Sequence, residues 1–415
     1  MYSKGKYFIL QCIVMLISPI TSLFVSIRFY KSEISQLFFI IFAFYFGSHI
    51  HYVSDLLHHY DDMMILYAGR NVNEIFADER IYLVGQDYYH ILFKLIVSRI
   101  SLSPRFFGGA ACAAYATFFI FFFRQLKVFY NNYKLTILNA LLMLTITFII
   151  EYYWFLGLRF RTGVFYFAAF YLKYVNTNKK ICLLALLVTP LFHYSLITLV
   201  VIFLLDFVLR YTGILSRIIL LIASIFIRLQ NIDFVPLMLK YIPITKNLGV
   251  AITDDRIRNN VRDTMAEMRS EGNFFYRQRN DILLFFGFII LYFLWKYNAF
   301  KDRKYRVLFT FALTTYTVAN FGYGDLTFYD RFYQIAVLFF YTYLFVLSFI
   351  HANRIHHKLY LISIFMLPPM LYAAATQIVE QREFLFHLNL FFGNFFSVWD
   401  STVETVKDFG WRPVY

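Results

Sequence analysis

Two arginines stand two residues apart where an apolar stretch begins, Arg159 and Arg161 in LRFRTG. A guanidinium is planar, stays charged, and presents a fork of N–H donors that matches phosphate oxygens in pairs. The start of the helix that follows adds backbone donors and a favourable dipole for an anion. The same pair also fits interfacial snorkelling, in which the stem lies in hydrocarbon and the head in water. A histidine, His193 in TPLFHYS, follows Pro190 at the end of the next apolar run. Near neutral pH an imidazole takes or gives a proton, although at such a turn it can equally serve as a cap. The motif FYDRFYQ sets Asp330 and Arg331 at the start of a later span, where an acidic residue suits the helix N-terminus and an arginine the interface. These types together point to holding a phosphate-like anion while a proton moves.

A second cluster is HIHYVSDLLHHYDD. On a helix, His51, Asp55, His58 or His59, and Asp62 fall along one stripe. They are candidate metal ligands, and Asp55 is a candidate acid/base group. No HExxH or similarly strict spacing occurs, so a solvated interfacial helix is the plainer reading and no metal is expected.

The elements that must position these residues are membrane helices. The 415 residues are 60% hydrophobic and 15% charged, against about 45–50% and about 25% in soluble domains. We expect an all-α, polytopic integral membrane protein of about twelve spans. They fall near 7–27, 34–50, 106–123, 135–150, 162–174, 181–192, 194–208, 214–230, 282–297, 307–321, 332–350 and 359–376. Residues 88–100 read as an interfacial or re-entrant helix. The whole of 1–415 reads as a single polytopic domain. Its two long loops are 51–105, with interfacial helices, and 231–281; its amphipathic tail is 377–415. Lysines and arginines in the short loops, among them Arg124, Lys127, Lys179, Lys180, Arg210, Arg303 and Lys304, fall on one side. The positive-inside rule makes that side cytoplasmic and puts the long loops, the tail and all the candidate residues outside. The arginines are accordingly expected to be exposed or to face a cavity.

The net charge of +14 is then a property of loops, not a nucleic-acid signal. Cys12, Cys112 and Cys182 all lie in apolar runs and read as small buried hydrophobes. No Rossmann fingerprint or P-loop occurs, so neither ATP hydrolysis nor a nucleotide-sugar donor is indicated, and no cofactor is expected.

The order of landmarks resembles the EpsG-like branch of the Wzy-type polysaccharide polymerases from about residue 40 to about 350. A span ending near Gly47 leads into a loop with Asp55 and Tyr60 (FYFGSHIHYVSDLLHHY); an arginine opens a span with small residues (LRFRTGVFYFAAF). A basic turn and an apolar run then end in Phe-His-x-Ser (NKKICLLALLVTPLFHYS), with His193 and Ser195. A late arginine, Arg331, precedes an aromatic-rich span (YDRFYQIAVLFFYTYL).

The resemblance implies a GT-C-like architecture and a glycosyltransferase at the outer face of the bacterial cytoplasmic membrane. It joins oligosaccharide repeat units carried on undecaprenyl pyrophosphate, with a lipid-linked donor, a lipid-linked acceptor and no nucleotide sugar. A chain-length regulator and a flippase are the implied protein partners. Arg159, Arg161 and Arg331 would hold the pyrophosphate as charge develops on it, and His193 or Asp55 would act as base. Tyr60, Ser195 and Asp330 would contact substrate. The rival readings are an O-antigen ligase-like transferase, which uses the same donor, and a lipid-linked oligosaccharide flippase. A flippase would place charges along a central path, whereas here they gather near span ends.

Overall fold

The computed structural model describes residues 4–49, 55–78, 87–130, 136–150, 159–230, 279–295, 303–323, 326–351, 363–375 and 395–396. Among them every regular element is helical, as expected for an all-α chain. The chain divides into two compact units: 1–128 with 151–197 and 377–411, and 129–150 with 198–376 and 412–415.

The first unit holds α1 (Lys4–Ile17), α2 (Pro19–Arg28), α3 (Glu33–Ser48), α4 (Asp55–Leu66), α5 (Val72–Ala77), α6 (Tyr88–Ile100), nearly all of α7 (Pro104–Tyr130), α9 (Phe160–Thr177) and α10 (Ile181–Leu187). The expected first span is thus two helices, because Pro19 lacks an N–H and breaks the ladder after Ser18. α3 lies so close to α7 that a Cβ on Gly47 would sit 2.5 Å from the Gly108 carbonyl oxygen. α9 buries most of its length and ends at Asn178, which takes the left-handed conformation (φ 53°) that stops a helix. After α10 the chain makes two 3₁₀ turns, Thr189–Leu191 and Tyr194–Leu196, with His193 extended between them. Pro190 sets the first turn.

The second unit holds α8 (Ile137–Ile149), α11 (Ile197–Leu209), α12 (Gly213–Leu229), α13 (Arg279–Trp295), α14 (Arg303–Phe321), α15 (Leu326–His351) and α16 (Ser363–Ala375). α15 is its axis, with α14, α8 and α13 packed on it. The Tyr341 hydroxyl donates to the Leu283 carbonyl at 2.8 Å, and the Asn139 amide donates to Ser348. Asp206 of α11 is fully buried and pairs with Arg210 at 2.8 Å and Arg217 at 2.5 Å, which ties α11 to α12.

Among the described residues two helices are long and apolar enough to cross a membrane, Pro104–Phe129 and Phe328–Phe349. Six shorter apolar helices accompany them, below the roughly 20 residues a straight crossing needs. One helix, α12, is also turned inside out, and α6 is so in part. On α6, His90 and Lys94 are buried together with Ile91 and Val97, while Leu92, Ile96 and Ile100 are exposed. On α12, Arg217 and Ser224 are buried while Leu215, Ile218, Ile222 and Phe226 are exposed. Water would select the reverse; hydrocarbon as solvent selects this. Most of the 231–281 loop and of the 377–415 tail lies outside the described residues.

Candidate active site

The α9 N-terminus and the 189–196 turn come together because residue 163 is glycine. A Cβ there would stand 2.8 Å from Cβ of Phe192 and would collide with Leu196. With that contact made, the N-terminus of α9 lies against the turn that carries His193. Phe160 is the common neighbour. Its ring meets the His193 ring edge-on at 5.7 Å, and the Arg161 guanidinium carbon lies 5.7 Å from its centroid. Both Arg161 and His193 are buried. Of the two alternatives expected for the arginines, exposed or facing a cavity, Arg161 is not exposed, so its removal affects packing as well as charge.

Asp87 organises the group, and sequence reasoning passed it over. It sits before α6 and is fully buried, yet its carboxylate does not cap that helix. One oxygen accepts from Arg159 Nη1 at 2.8 Å, and the other accepts from the Tyr194 backbone N–H at 2.8 Å. One carboxylate thus fixes the first arginine and the turn that carries His193. Burial pushes the Asp87 carboxyl up, against the downward pull of Arg159 and the Tyr194 amide. In sequence, Asp87 is one acidic residue ahead of a short helix in QDYYH, and only tertiary structure gives it partners.

The backbone N–H of Ser195 donates to His193 Nδ1 at 3.2 Å. Nδ1 is therefore unprotonated in neutral His193, whose proton lies on Nε2. It follows that the Ser195 hydroxyl, 2.7 Å from Nδ1, is the donor in that contact. His193 is a cap of its own turn and, through the same nitrogen, the acceptor of a serine proton.

Of the remaining expected site residues, Tyr60 donates to the Leu102 carbonyl at 3.0 Å, which joins α4 to the turn before α7. Asp55 opens α4, and its side chain lies outside the described residues, as does His51. His58 is exposed, whereas His59 and Asp62 face α6. Asp330 and Arg331 belong to the other unit, at the start of α15. One turn around them, the Arg228 guanidinium lies 5.0 Å from the Tyr329 ring and 5.3 Å from that of Tyr323. It also reaches Asp281 at 3.5 Å, and Tyr333 donates to the same carboxylate.

No family model, characterised protein or solved structure matches this chain.

Proposed function

We propose that this protein is a polymerase of lipid-linked repeat units. It would transfer a glycan from undecaprenyl pyrophosphate to a sugar hydroxyl on the next lipid-linked unit, as a multi-pass protein working at the outer face of the bacterial cytoplasmic membrane. The observation that carries the reading is the Asp87–Arg159 pair. It ties Arg159, two residues before buried Arg161, to the turn that carries the His193–Ser195 pair, in a unit whose helices show their aliphatic faces outward. Preorganised cations beside a proton acceptor are what displacement of a pyrophosphate requires.

In this reaction the acceptor oxygen bonds to the anomeric carbon of the donor as the bond from that carbon to the pyrophosphate oxygen breaks. Arg159 and Arg161 stabilise the charge that grows on the leaving pyrophosphate. The acceptor proton passes to Ser195 Oγ while Ser195 passes its own to His193 Nδ1. Asp55 is the second base candidate.

The test is the surface glycan profile of a strain lacking the gene. Single repeats capping the lipid anchor support a polymerase. Complete loss of surface glycan means a flippase, and polymer accumulating unattached on its lipid carrier means a ligase.

A further inference from the structure

One group of titratable side chains has no part in that chemistry. α4 and α6 pack with the rings of His59 and His90 5.6 Å apart. One turn along, Lys94 Nζ lies 2.9 Å from Asp62. The spacings, three residues on α4 and four on α6, align the two pairs in one seam. His59 is 5% exposed, His90 2% and Lys94 1%. Both ring nitrogens of His59 and Nδ1 of His90 are buried with no hydrogen-bond partner among the described residues. A buried polar atom left so costs roughly 1–3 kcal/mol, and three gathered in one seam point to something that binds there.

The charges around the seam decide what binds. Lys94 of α6 is matched by Asp62 of α4, and Arg159 ahead of α9 is matched by Asp87 ahead of α6. His58 lies on the exposed side of α4. Burial, then Arg159, Lys94, His90 and His58, hold His59 well below its ordinary value. Burial, then Lys94 and Arg159, hold His90 down to about 3, against a weaker upward pull from the Asp87 backbone. Both imidazoles are thus neutral when the seam is empty. Lys94 and Arg159 are each neutralised by a carboxylate, so the imidazoles select the ligand: an entering anion would raise both toward protonation and gain N–H donors.

We propose that the seam between α4 and α6 is an anion subsite for a phosphate-class ligand, and that His59 and His90 take up protons as it binds. Each new N–H then donates to a ligand oxygen. The inference rests on the polymerase reading only for the ligand's source, the pyrophosphate of the lipid carrier. Breaking the glycosyl C–O bond leaves an additional ionised oxygen on that pyrophosphate, and a proton-accepting subsite beside Arg159 suits the charge of the departing group.

The experiment uses the full-length protein in phosphatidylcholine nanodiscs. Inorganic pyrophosphate and farnesyl pyrophosphate are titrated calorimetrically in buffers of different ionisation enthalpy, between about pH 6 and 8. The expected result is uptake of at least one proton per ligand, with affinity rising about tenfold for each unit of pH decrease when one proton is taken up. His59→Gln with His90→Gln keeps polar amides, removes the uptake and flattens the pH dependence. Should that double variant not fold, the proton count of the unaltered protein decides alone. Binding of farnesyl pyrophosphate only assigns the site to the lipid carrier, and binding of both assigns it to phosphoanhydrides in general. Binding without proton uptake, or binding of neither, overturns the inference. Proton-coupled binding by a protein that never extends repeats would sink the polymerase reading and keep the subsite. Extension of repeats without proton-coupled binding would do the opposite.

Discussion

At the scale of single residues, Asp87 carries the most weight. Its carboxylate makes two charge-assisted contacts, to Arg159 and to the Tyr194 amide. Asp87→Asn retains the shape and loses the charge. Each hydrogen bond to a charged group contributes about 1.5–3 kcal/mol, so the variant should melt measurably lower in a thermal scan of detergent-solubilised protein. Its turnover should fall further than that destabilisation explains, since Arg159 and the His193 turn lose their shared anchor. His193→Gln cannot carry the proton at neutral pH and should lose roughly 10²–10⁴ in turnover. Ser195→Ala should approach the same loss, because Nδ1 then has no hydroxyl to take a proton from. A Ser195→Ala enzyme with wild-type turnover would leave His193 a cap only. For buried Arg161, lysine is the informative change: it retains charge and stem but not the fork. Arg161→Lys should fold, by thermal scan, and still fail to extend repeats.

At the scale of elements, the site depends on how closely α9 meets the 189–196 turn. Gly163→Ala puts a methyl group against Phe192 and Leu196. Such overpacking typically costs about 1–3 kcal/mol, and here it also separates Phe160 from His193. Activity should drop more than the melting temperature indicates, with Gly163→Ser no better. The α4–α6 seam has its own signature. Unfolded, an imidazole takes its proton near 6.5, whereas folded His90 does so near about 3. Between those values the unfolded chain binds more protons, so this contribution to stability rises with pH and is lost as pH falls below about 6.5. The difference in melting temperature between the unaltered protein and His59→Gln/His90→Gln should therefore shrink, then reverse, on acidification. That comparison cancels the opposite trend of Asp87, whose carboxyl burial pushes up.

Much at this scale was legible in the chain. Pro190 marked the turn that presents His193, Lys179 and Lys180 marked the turn after α9, and the apolar runs located most helices. The break at Pro19 and the two 3₁₀ turns were local features read as continuous spans. What sequence could not show was pairing across distance. Nothing near Asp87 announces Arg159, 72 residues away. The HHYDD stripe gave no sign that His59 and Asp62 turn inward while His58 faces out, because helical periodicity finds a stripe without saying which side is buried.

At the scale of the whole molecule, the account requires a membrane and a sidedness. The exposed aliphatic faces of α6 and α12, with charges buried behind them, support the first. The one-sided run of basic short loops supports the second. Cysteines placed at Asn73, on α5, and at Gly272, in the long loop before α13, should react with an impermeant thiol reagent in cells whose outer membrane has been permeabilised. Native Cys12, Cys112 and Cys182 are replaced for that measurement. Protection of both sites would put the loops in the cytoplasm and the proposed chemistry on the wrong face.

The most direct measurement is reconstitution. Purified protein in nanodiscs is incubated with repeat units linked to undecaprenyl pyrophosphate, without nucleotide sugar or ATP, and the products are resolved by length. The expected result is a ladder of polymer from the unaltered protein, with the Asp87→Asn, Arg161→Lys and His193→Gln proteins leaving single repeats. Single repeats from the unaltered protein, or an undiminished ladder from all three variants, would contradict the assignment of this site to glycan polymerisation.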